Sequence, residues 1–293
     1  MRKLITNNEE DCVGCNRCIR ACPVLGGNVV KKKGTSINVS VNYERCIACG
    51  ACIKTCHHNV RDFYDDTEQF LDDLRRGANI SMLVAPANRV YEEEGGRLLT
   101  WLRSQGVNKI YDVSVGADIC TWAHIRAIEK IHHPVITQPC PVVVNYIQMY
   151  AHDLLKYLSP IHSPMLCTAI YMKKYCDIED KIAALSPCIA KAHEFEATNY
   201  VKYNVTLDKI FNFIKKNNII LPLEPSGFDH PDSALGLLYP MPGGLKENVE
   251  YFFGKQLRID QSEGGDYVFK ALNEFAKESP SNLPAIFDVL NCH

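Results

Sequence analysis

The sequence has no long apolar segment and almost no net charge. No stretch approaches the roughly 18 uninterrupted apolar residues of a membrane span, and no apolar run follows the basic start MRKLITNNEEDC. The formal net charge of -2 gives no electrostatic reason for a nucleic-acid or anionic-membrane partner. A specific Gly-rich phosphate loop is lacking too. We therefore expect a soluble, cytoplasmic protein with no nucleic acid and no membrane among its partners.

Cysteine, in contrast, is abundant. The 293 residues include 14 cysteines, and eight of these lie between Cys12 and Cys56 at two- and three-residue spacings. In a reducing cytoplasm, such closely spaced thiols are more often metal ligands than disulfide partners. The length also suggests about two domains. The eight cysteines are therefore the first candidates for metal binding.

The eight cysteines form an internal repeat with a constant offset of 34 positions: Cys12, Cys15, Cys18 and Cys22, then Cys46, Cys49, Cys52 and Cys56. Each group follows C-x2-C-x2-C-x3-C, in which three thiolates bind one cubane 4Fe-4S cluster and the fourth points away. In two-cluster ferredoxins that fourth cysteine ligates the other cluster. We therefore predict a crossed assignment: Cys12, Cys15, Cys18 and Cys56 for the first cluster, and Cys46, Cys49, Cys52 and Cys22 for the second.

A zinc site is the alternative interpretation, because two C-x2-C pairs also make a tetrahedral thiolate site. Zinc would need four thiolates and not eight in two identical quartets. Pro23 after Cys22 also matches the ferredoxin pattern, whereas His57 replaces the proline of the second run. The repeat therefore favours two 4Fe-4S clusters.

The same pattern predicts the domain organisation. We expect an α+β ferredoxin-like domain at 1–61, with a hairpin at 29–41 between its two halves, and an acidic linker helix at 62–77. A domain of about 60 residues buries little apolar surface, so metal binding should supply much of its folding free energy.

From residue 78 to 293, short apolar strands alternate with longer amphipathic helices, which predicts a second, α/β domain with mostly parallel sheets. The strands are predicted at 81–85, 109–113, 134–137, 181–185, 234–239 and 285–290. The helices are predicted at 92–105, 117–131, 142–158, 164–175, 207–217, 244–253 and 266–278.

Six cysteines lie in this second part. Three follow predicted strands, where the ligands of parallel sheets gather: Cys140, Cys188 and Cys292. They would converge on one site, although a chance set of buried cysteines is an equally good interpretation of spacing alone. The others lie in or near predicted helices and are interpreted as core residues: Cys120, Cys167 and Cys176.

Over nearly the whole chain, these motifs resemble the FeFe (iron-only) hydrogenases. VAPANR (84–89), VGAD (115–118), TQPCP (137–141) and HSP (162–164) are similar to the family's VAPAxR, FGAD, TSCCP and KSPQ elements. The most specific match is SPCIAKAHE (186–194), which keeps the spacing of MPCxxKxxE. The resemblance implies an iron-hydrogenase-type α/β domain and reversible oxidation of hydrogen gas, with electrons and protons as products.

The family's H-cluster is a 4Fe-4S cubane joined through one cysteine to a diiron unit that carries CO, cyanide and a bridging dithiolate. By resemblance, Cys140 and Cys188 would ligate the cubane, and Cys292 would be the first cysteine of a late CxxxC motif. Lys191 would hydrogen-bond a cyanide from one side, and the Ala85–Pro86 turn would contact it from the other.

The departures from the family concern proton transfer. Pro139 stands where the catalytic enzymes carry a proton-passing cysteine, and proline has no side-chain proton to donate. The paired carboxylates after the GAD element are replaced by alanine and histidine: Ala123, His124 and Ala127. Ser163 and Glu194 keep their family positions. Losing the relay should lower turnover by orders of magnitude.

We therefore predict a sensory hydrogenase that is slow and signals to a redox partner protein or a downstream domain. Since the chain ends at His293 inside the CxxxC motif, we expect a fragment of a longer protein, in which the H-cluster forms poorly or not at all. Two alternatives stay open. One is a competent hydrogenase with another proton route, through His124 or water, and the other is a two-cluster electron-transfer protein without an H-cluster.

Overall fold

The structure is a computed structural model that describes residues 2–33, 36–131, 133–137, 139–230, 233, 235–241, 243–254 and 257–292. The predicted hairpin turn at Gly34, the Gln138 of the TQPCP element and His293 lie outside these residues. Among the described helices, none is long and apolar enough to cross a membrane.

The N-terminal part contains two one-turn helices, α1 (Arg17–Arg20) and α2 (Ala51–Lys54), at equivalent places in the cysteine repeat. Each is preceded by a residue in the left-handed region, Asn16 at φ 60° and Gly50 at φ 78°. This conformation is open to asparagine and glycine at low cost, and it curls the cysteine loop before the helix. The repeat seen in the sequence is therefore also a repeat of backbone conformation.

Four short strands complete this part. The predicted hairpin is present as β2 (Asn28–Lys33) and β3 (Ser36–Val41), and β1 (Ile5–Asn7) pairs antiparallel with β4 (Arg61–Phe63). Asp62 and Phe63, the first residues of the linker helix predicted at 62–77, therefore belong to strand β4. The helix itself, α3, is shorter than predicted and covers Thr67–Arg75.

The rest of the chain contains two parallel sheets with helices between their strands, which confirms the predicted α/β class. The first sheet has four strands: β5 (Ile80–Val84), β6 (Val107–Asp112), β8 (Lys181–Ser186) and β9 (Tyr203–Thr206). Their order across the sheet is β6-β5-β8-β9. The second sheet has three strands: β7 (Val135–Ile136), β10 (Ile259–Glu263) and β11 (Ile286–Leu290). Strand β11 lies between the other two.

Helices cover both faces of the first sheet, so that every residue of β5 is buried. The helices of this part are α4 (Glu92–Ser104), α5 (Ser114–Ile128), α6 (Pro141–Tyr150), α7 (Pro164–Tyr175), α8 (Lys191–Thr198), α9 (Leu207–Lys216), α10 (Gly244–Phe253) and α11 (Val268–Phe275). Met82 packs in the core shared with helices α3, α4 and α9, and its neighbour Leu83 packs in the core on the opposite face of the sheet.

The strand predicted at 234–239 is wrong. Leu235–Leu238 forms a 3-10 helix against α5. A Cβ on Gly236 would lie 2.0 Å from the carbonyl oxygen of Ser114, and the Gly236 N–H donates to Asp118 Oδ1 at 2.6 Å. A short apolar run fits a strand or a buried turn equally well, and here this close backbone approach decides. The predicted helix at 142–158 is also two elements, since α6 ends at Tyr150 and a 3-10 helix covers His152–Tyr157.

Candidate metal centres

The first cysteine quartet lines one cavity. Cys12, Cys15 and Cys18 of the first motif surround it together with Cys56 of the second. The structure thus brings together the four thiols of the crossed assignment. Among the described residues, no three His, Cys, Asp or Glu side chains are arranged to hold a single metal ion.

Hydrogen-bond donors point at the thiols of this cavity. The Val39 N–H donates to Cys12 Sγ at 3.4 Å, and Arg61 Nη2 donates to Cys18 Sγ at 3.6 Å. Burial acts to raise the pKa of the Cys56 thiol, but backbone N–H groups outweigh it and lower that pKa: those of His58, Val60 and Arg61. Such donors favour the thiolate, which is the form that binds iron.

Arg61 tests whether an iron-sulfur cluster fits here. The residue is 6% exposed, and Nη2 also donates to the carbonyl of Val39 at 2.9 Å, whereas Nη1 is buried with no hydrogen-bond partner among the described residues. A buried guanidinium nitrogen without a partner is costly. An anionic cluster on the adjacent thiolates would supply the missing acceptor, so these residues fit a 4Fe-4S cluster.

In the second quartet Cys52 is buried and the other three cysteines are half-buried. Burial raises the pKa of Cys49 to about 12, and the nearby Cys22 and Cys46 raise it further. Burial also raises the pKa of Cys52 to about 12, while Arg61 lowers it and the other three cysteines raise it. A bound cation would offset the cost of ionising these buried thiols. This quartet therefore also fits a bound cluster.

The third group of cysteines converges from three strand ends. Burial of the Cys188 thiol raises its pKa to about 11, with Cys140 raising it further and Lys191 lowering it. Cys292 is exposed as a whole residue, yet burial raises the pKa of its thiol to about 12, with further contributions from Cys140 and Cys188. The parallel strands β7 and β11 end at one edge of the three-stranded sheet, and β8, which belongs to the four-stranded sheet, ends close to that edge, so the three cysteines that follow these strands meet there.

Lys191 lies at the centre of this edge. Its Nζ donates to Glu194 Oε2 at 2.5 Å and to the carbonyl of Pro139 at 2.9 Å, and its side chain is 8% exposed. The ammonium is therefore buried between the residue before Cys140 and the first turn of α8. A buried positive charge beside three thiols suits an anionic iron-sulfur group.

The remaining predicted residues are the Ala85–Pro86 turn and Ser163. Ala85 follows β5 and donates its N–H to the carbonyl of Leu185 at 2.8 Å, and Pro86 begins the next 3-10 helix. The Ala85–Pro86 turn is thus held at the end of β8. Ser163 is 1% exposed and caps helix α7, since its Oγ accepts from the Leu166 N–H at 3.4 Å.

His124 is held by bonds to both ring nitrogens. Nδ1 lies 2.9 Å from the carbonyl oxygen of Cys120, and Nε2 lies 3.0 Å from Ser159 Oγ. Because a carbonyl can only accept, Nδ1 carries the proton and Nε2 accepts from the hydroxyl. Burial lowers the pKa of His124, so the imidazole is neutral at pH 7. The predicted core role of Cys120 agrees with its 1% exposure.

Sequence reasoning missed a buried carboxyl group near the third group. Asp288 on β11 is 4% exposed and accepts from Thr137 Oγ1 at 2.9 Å. Burial raises its pKa to about 6. Nothing in the sequence indicated that Asp288 would be buried and hydrogen-bonded, because its partner Thr137 lies 151 positions away.

Comparisons with known proteins match both parts of the chain. Residues 79–280 match the family "Iron only hydrogenase large subunit, C-terminal domain", and residues 4–57 match "4Fe-4S dicluster domain". Among solved structures, a variant of the FeFe-hydrogenase HydA1 from Chlamydomonas reinhardtii is 17% identical, with 77% of this chain and 81% of that chain covered and a TM-score of 0.61.

Two further structures agree with it. One, on the oxygen inactivation of an FeFe-hydrogenase, has 16% identity, 77% and 82% coverage of this and that chain, and a TM-score of 0.59. The other, on stepwise H-cluster assembly in HydA, has 17% identity, 77% and 81% coverage and a TM-score of 0.58. At these identities the structures establish the fold alone.

Proposed function

Since the chain belongs to the iron-only hydrogenase family, we propose that it is a slow, sensory-type member that reacts with hydrogen gas and exchanges electrons through its two cysteine quartets. The observation that carries the proposal is the convergence of Cys140, Cys188 and Cys292 around the buried Lys191. Lys191 also contacts Pro139, which stands where a catalytic enzyme would carry a proton-donating cysteine.

The residues at this edge would hold an H-cluster. The three thiolates would bind its iron, and Lys191 would place a fixed positive charge next to its anionic ligands. When bound, such a cofactor supplies the redox chemistry of hydrogen, while the protein binds, orients and tunes it. The two N-terminal quartets would hold the 4Fe-4S clusters that connect this edge to a redox partner.

The surrounding side chains support slow proton transfer. Pro139 offers no side-chain proton, and its carbonyl is occupied by Lys191. His124 is buried, neutral and bonded at both nitrogens, so it is a poor relay. The carboxylate of Glu194 is held by Lys191. A relay that begins without a mobile proton should limit turnover.

One observation favours a competent catalytic hydrogenase as the second candidate. A cavity of about 360 Å³ borders Glu194, with the side chains of His162 and His193 in its wall. Water in this cavity would offer a route between Glu194 and the His162 imidazole, whereas both ring nitrogens of His193 are engaged, by Asn145 Nδ2 and by the carbonyl of Arg2.

The substitution Pro139→Cys separates the two candidates. General acid–base groups contribute on the order of 10²–10⁴-fold, so a sensor should gain at least roughly tenfold in hydrogen evolution. Pro139→Ala is the control, because it removes the ring without adding a proton carrier. Rapid evolution by the unchanged protein, with no gain in the cysteine variant, would favour the catalytic candidate.

A further inference from the structure

The outer face of helix α5 is apolar although it is open to solvent. The helix has 15 residues, and only two of them are charged, Asp118 and Arg126, since the buried His124 is neutral. A helix of a globular protein that is apolar on nearly all sides is normally buried on nearly all sides. Yet Ile119 and Trp122 are exposed, Trp122 to 48%. The outer face of α5 therefore has the composition of a surface that packs against another element.

Neighbouring elements extend this apolar surface. The ring centroid of Phe252 on α10 lies 4.8 Å from that of Trp122, and the ring centroid of Tyr251 lies 5.1 Å from that of Phe252. Tyr251 is 73% exposed, and Leu237 is exposed on the 3-10 helix that packs against α5. We call these five residues the aromatic face: Ile119, Trp122, Leu237, Tyr251 and Phe252. At about 200 Å² for each fully exposed large side chain, they expose on the order of 500 Å², which is near the upper end for an apolar patch on a monomer.

Side chains at four-residue spacing form two neighbouring ridges on the outer face of α5. The first ridge consists of Asp118, Trp122 and Arg126. The second is apolar throughout: Val115, Ile119, Ala123 and Ala127. All of these side chains are partly or fully exposed, and the two alanines leave a groove between the ridges. Ridges at this spacing pack into the grooves of a second helix in the commonest class of helix packing. The outer face of α5 therefore has the shape that a second helix requires.

The first ridge carries opposite charges at equal distances from Trp122. Asp118 and Arg126 lie four residues before and after it, about 6 Å along the helix axis in each direction. The Asp118 carboxylate is held in place, since its Oδ1 accepts from the Gly236 N–H at 2.6 Å. The Arg126 side chain is 72% exposed, and its ion pair with Glu129 is an exposed one that contributes little. A ridge with this order of charges is complementary to its own copy when the copy runs in the opposite direction.

We propose that the aromatic face binds a second copy of this chain about a twofold axis at Trp122. Antiparallel crossing of the two α5 helices places Arg126 of each copy beside Asp118 of the other, on both sides of the central tryptophans. A partner of uniform charge would leave one of these two charges unpaired, whereas a second copy pairs both.

The composition of the aromatic face also suits a specific interface. Aromatic residues at the centre and charges at the rim are the arrangement in which a few side chains carry most of the binding free energy. The area is at the low end for specific interfaces, so we expect a dissociation constant that is roughly micromolar. The interface uses no cysteine and no metal, and it is therefore independent of the proposed function.

Sedimentation velocity of the anaerobic, cluster-loaded chain measures this association. As the concentration rises from about 1 to about 100 µM, the mass should rise from the 33.0 kDa of the monomer towards twice that value. Trp122→Glu places two like charges at the twofold axis, so its dissociation constant should be at least roughly a hundredfold higher. The matched control is Tyr267→Glu, which makes the same kind of change at an exposed aromatic residue outside the aromatic face. It should dimerise within about twofold of the unchanged protein.

Charge reversal tests the antiparallel arrangement. Arg126→Glu alone and Asp118→Lys alone each bring like charges together at both ends of the interface, so each should dimerise at least roughly tenfold more weakly. An equimolar mixture of the two variants should recover the association, because both charge pairs are again opposite in the mixed dimer. This recovery also shows that both variants are folded.

Two results would overturn the proposal. One is an unchanged chain that stays monomeric at about 100 µM, a concentration well above a micromolar dissociation constant. The other is a Trp122→Glu variant that dimerises as well as the unchanged chain. A mixture of the two charge variants that associates no better than its components would overturn the antiparallel arrangement at Trp122.

Discussion

Lys191 Nζ lies 2.5 Å from Glu194 Oε2, within the first turn of helix α8, and the two side chains are only 8% and 14% exposed. The same ammonium holds the carbonyl of Pro139, which precedes Cys140. The ammonium of Lys191 therefore joins the segment before Cys140 to helix α8, which follows Cys188.

Removing this ammonium should destabilise the second part of the chain. Lys191→Met leaves the Glu194 carboxylate buried without its partner, which costs about 3 kcal/mol for a largely buried pair. Urea unfolding followed by tryptophan fluorescence reports this part, because both tryptophans lie in it. The double variant Lys191→Met/Glu194→Gln should recover much of the loss, since no unpaired charge is left. A single variant as stable as the unchanged protein would contradict the pair's role.

The crossed assignment predicts which cysteine pairs act on one cluster. Cys56→Ala should remove the first cluster although Cys56 lies in the second motif, so Cys15→Ala/Cys56→Ala should lose no more iron than either single variant. Cys15→Ala/Cys22→Ala should lose the iron of both clusters. Iron content and the resonance spectra of the reduced proteins check this. The reverse result, with additive loss for Cys15 and Cys56, would contradict the assignment.

Arg61 should tune the first cluster. The guanidinium donates to Cys18 Sγ and stabilises added negative charge, so Arg61→Gln should make this cluster harder to reduce. A redox titration monitored by electron paramagnetic resonance gives the potential. Arg20→Gln is the control, because Arg20 is exposed on α1. An unchanged potential in the Arg61 variant would show that its charge does not act on the cluster.

Asp288 should make stability depend on pH. Burial raises its folded-state pKa from the ordinary range of a carboxyl group to about 6, so the folded state binds more protons than the unfolded state over this interval and stability falls as pH rises through it. Asp288→Asn keeps an acceptor for Thr137 without the charge. At pH 7 the free energy of unfolding of the variant should exceed that of the unchanged protein by about 3 kcal/mol, because a pKa difference of about two units corresponds to that free energy.

Urea unfolding at pH 5 and pH 7.5 measures this difference. The advantage of Asp288→Asn should be smaller at pH 5, where much of the Asp288 carboxyl is protonated in the folded state. The exposed Asp266→Asn should show no such trend. An advantage independent of pH would mean that Asp288 is not the titrating group.

The sequence predicted the fold class correctly, because it follows from the periodicity of strands and helices, whereas the assignment of cysteines to clusters stays a prediction. Strand ends at residues 140, 188 and 292 predicted convergence, and the structure brings these thiols together. It failed where tertiary contact overrides pattern, as at Gly236, whose backbone lies against Ser114. The strands β9 and β10 and the helix α8 were missed. β10 has five residues, as β5 and β11 do, but its sequence IDQSE is mostly polar and lacks the pattern of a buried strand.

Charge was the other limit. The net charge of -2 for the whole chain conceals a formal +6 from the ten lysines and arginines and the four aspartates and glutamates of residues 1–61, which two thiolate-bound clusters would largely offset. The pairing of Glu9 with Lys31, and not with Lys32, depends on the hairpin register. Composition alone does not carry that information.

The infrared spectrum of the anaerobically matured protein, recorded under argon and then under hydrogen, tests the central claim most directly. We expect bands of iron-bound CO and cyanide that shift when hydrogen is added, because the cysteines around Lys191 would hold a hydrogen-reactive diiron cofactor. The absence of such bands from a protein whose two 4Fe-4S clusters are present would contradict this account, and would leave an electron-transfer protein.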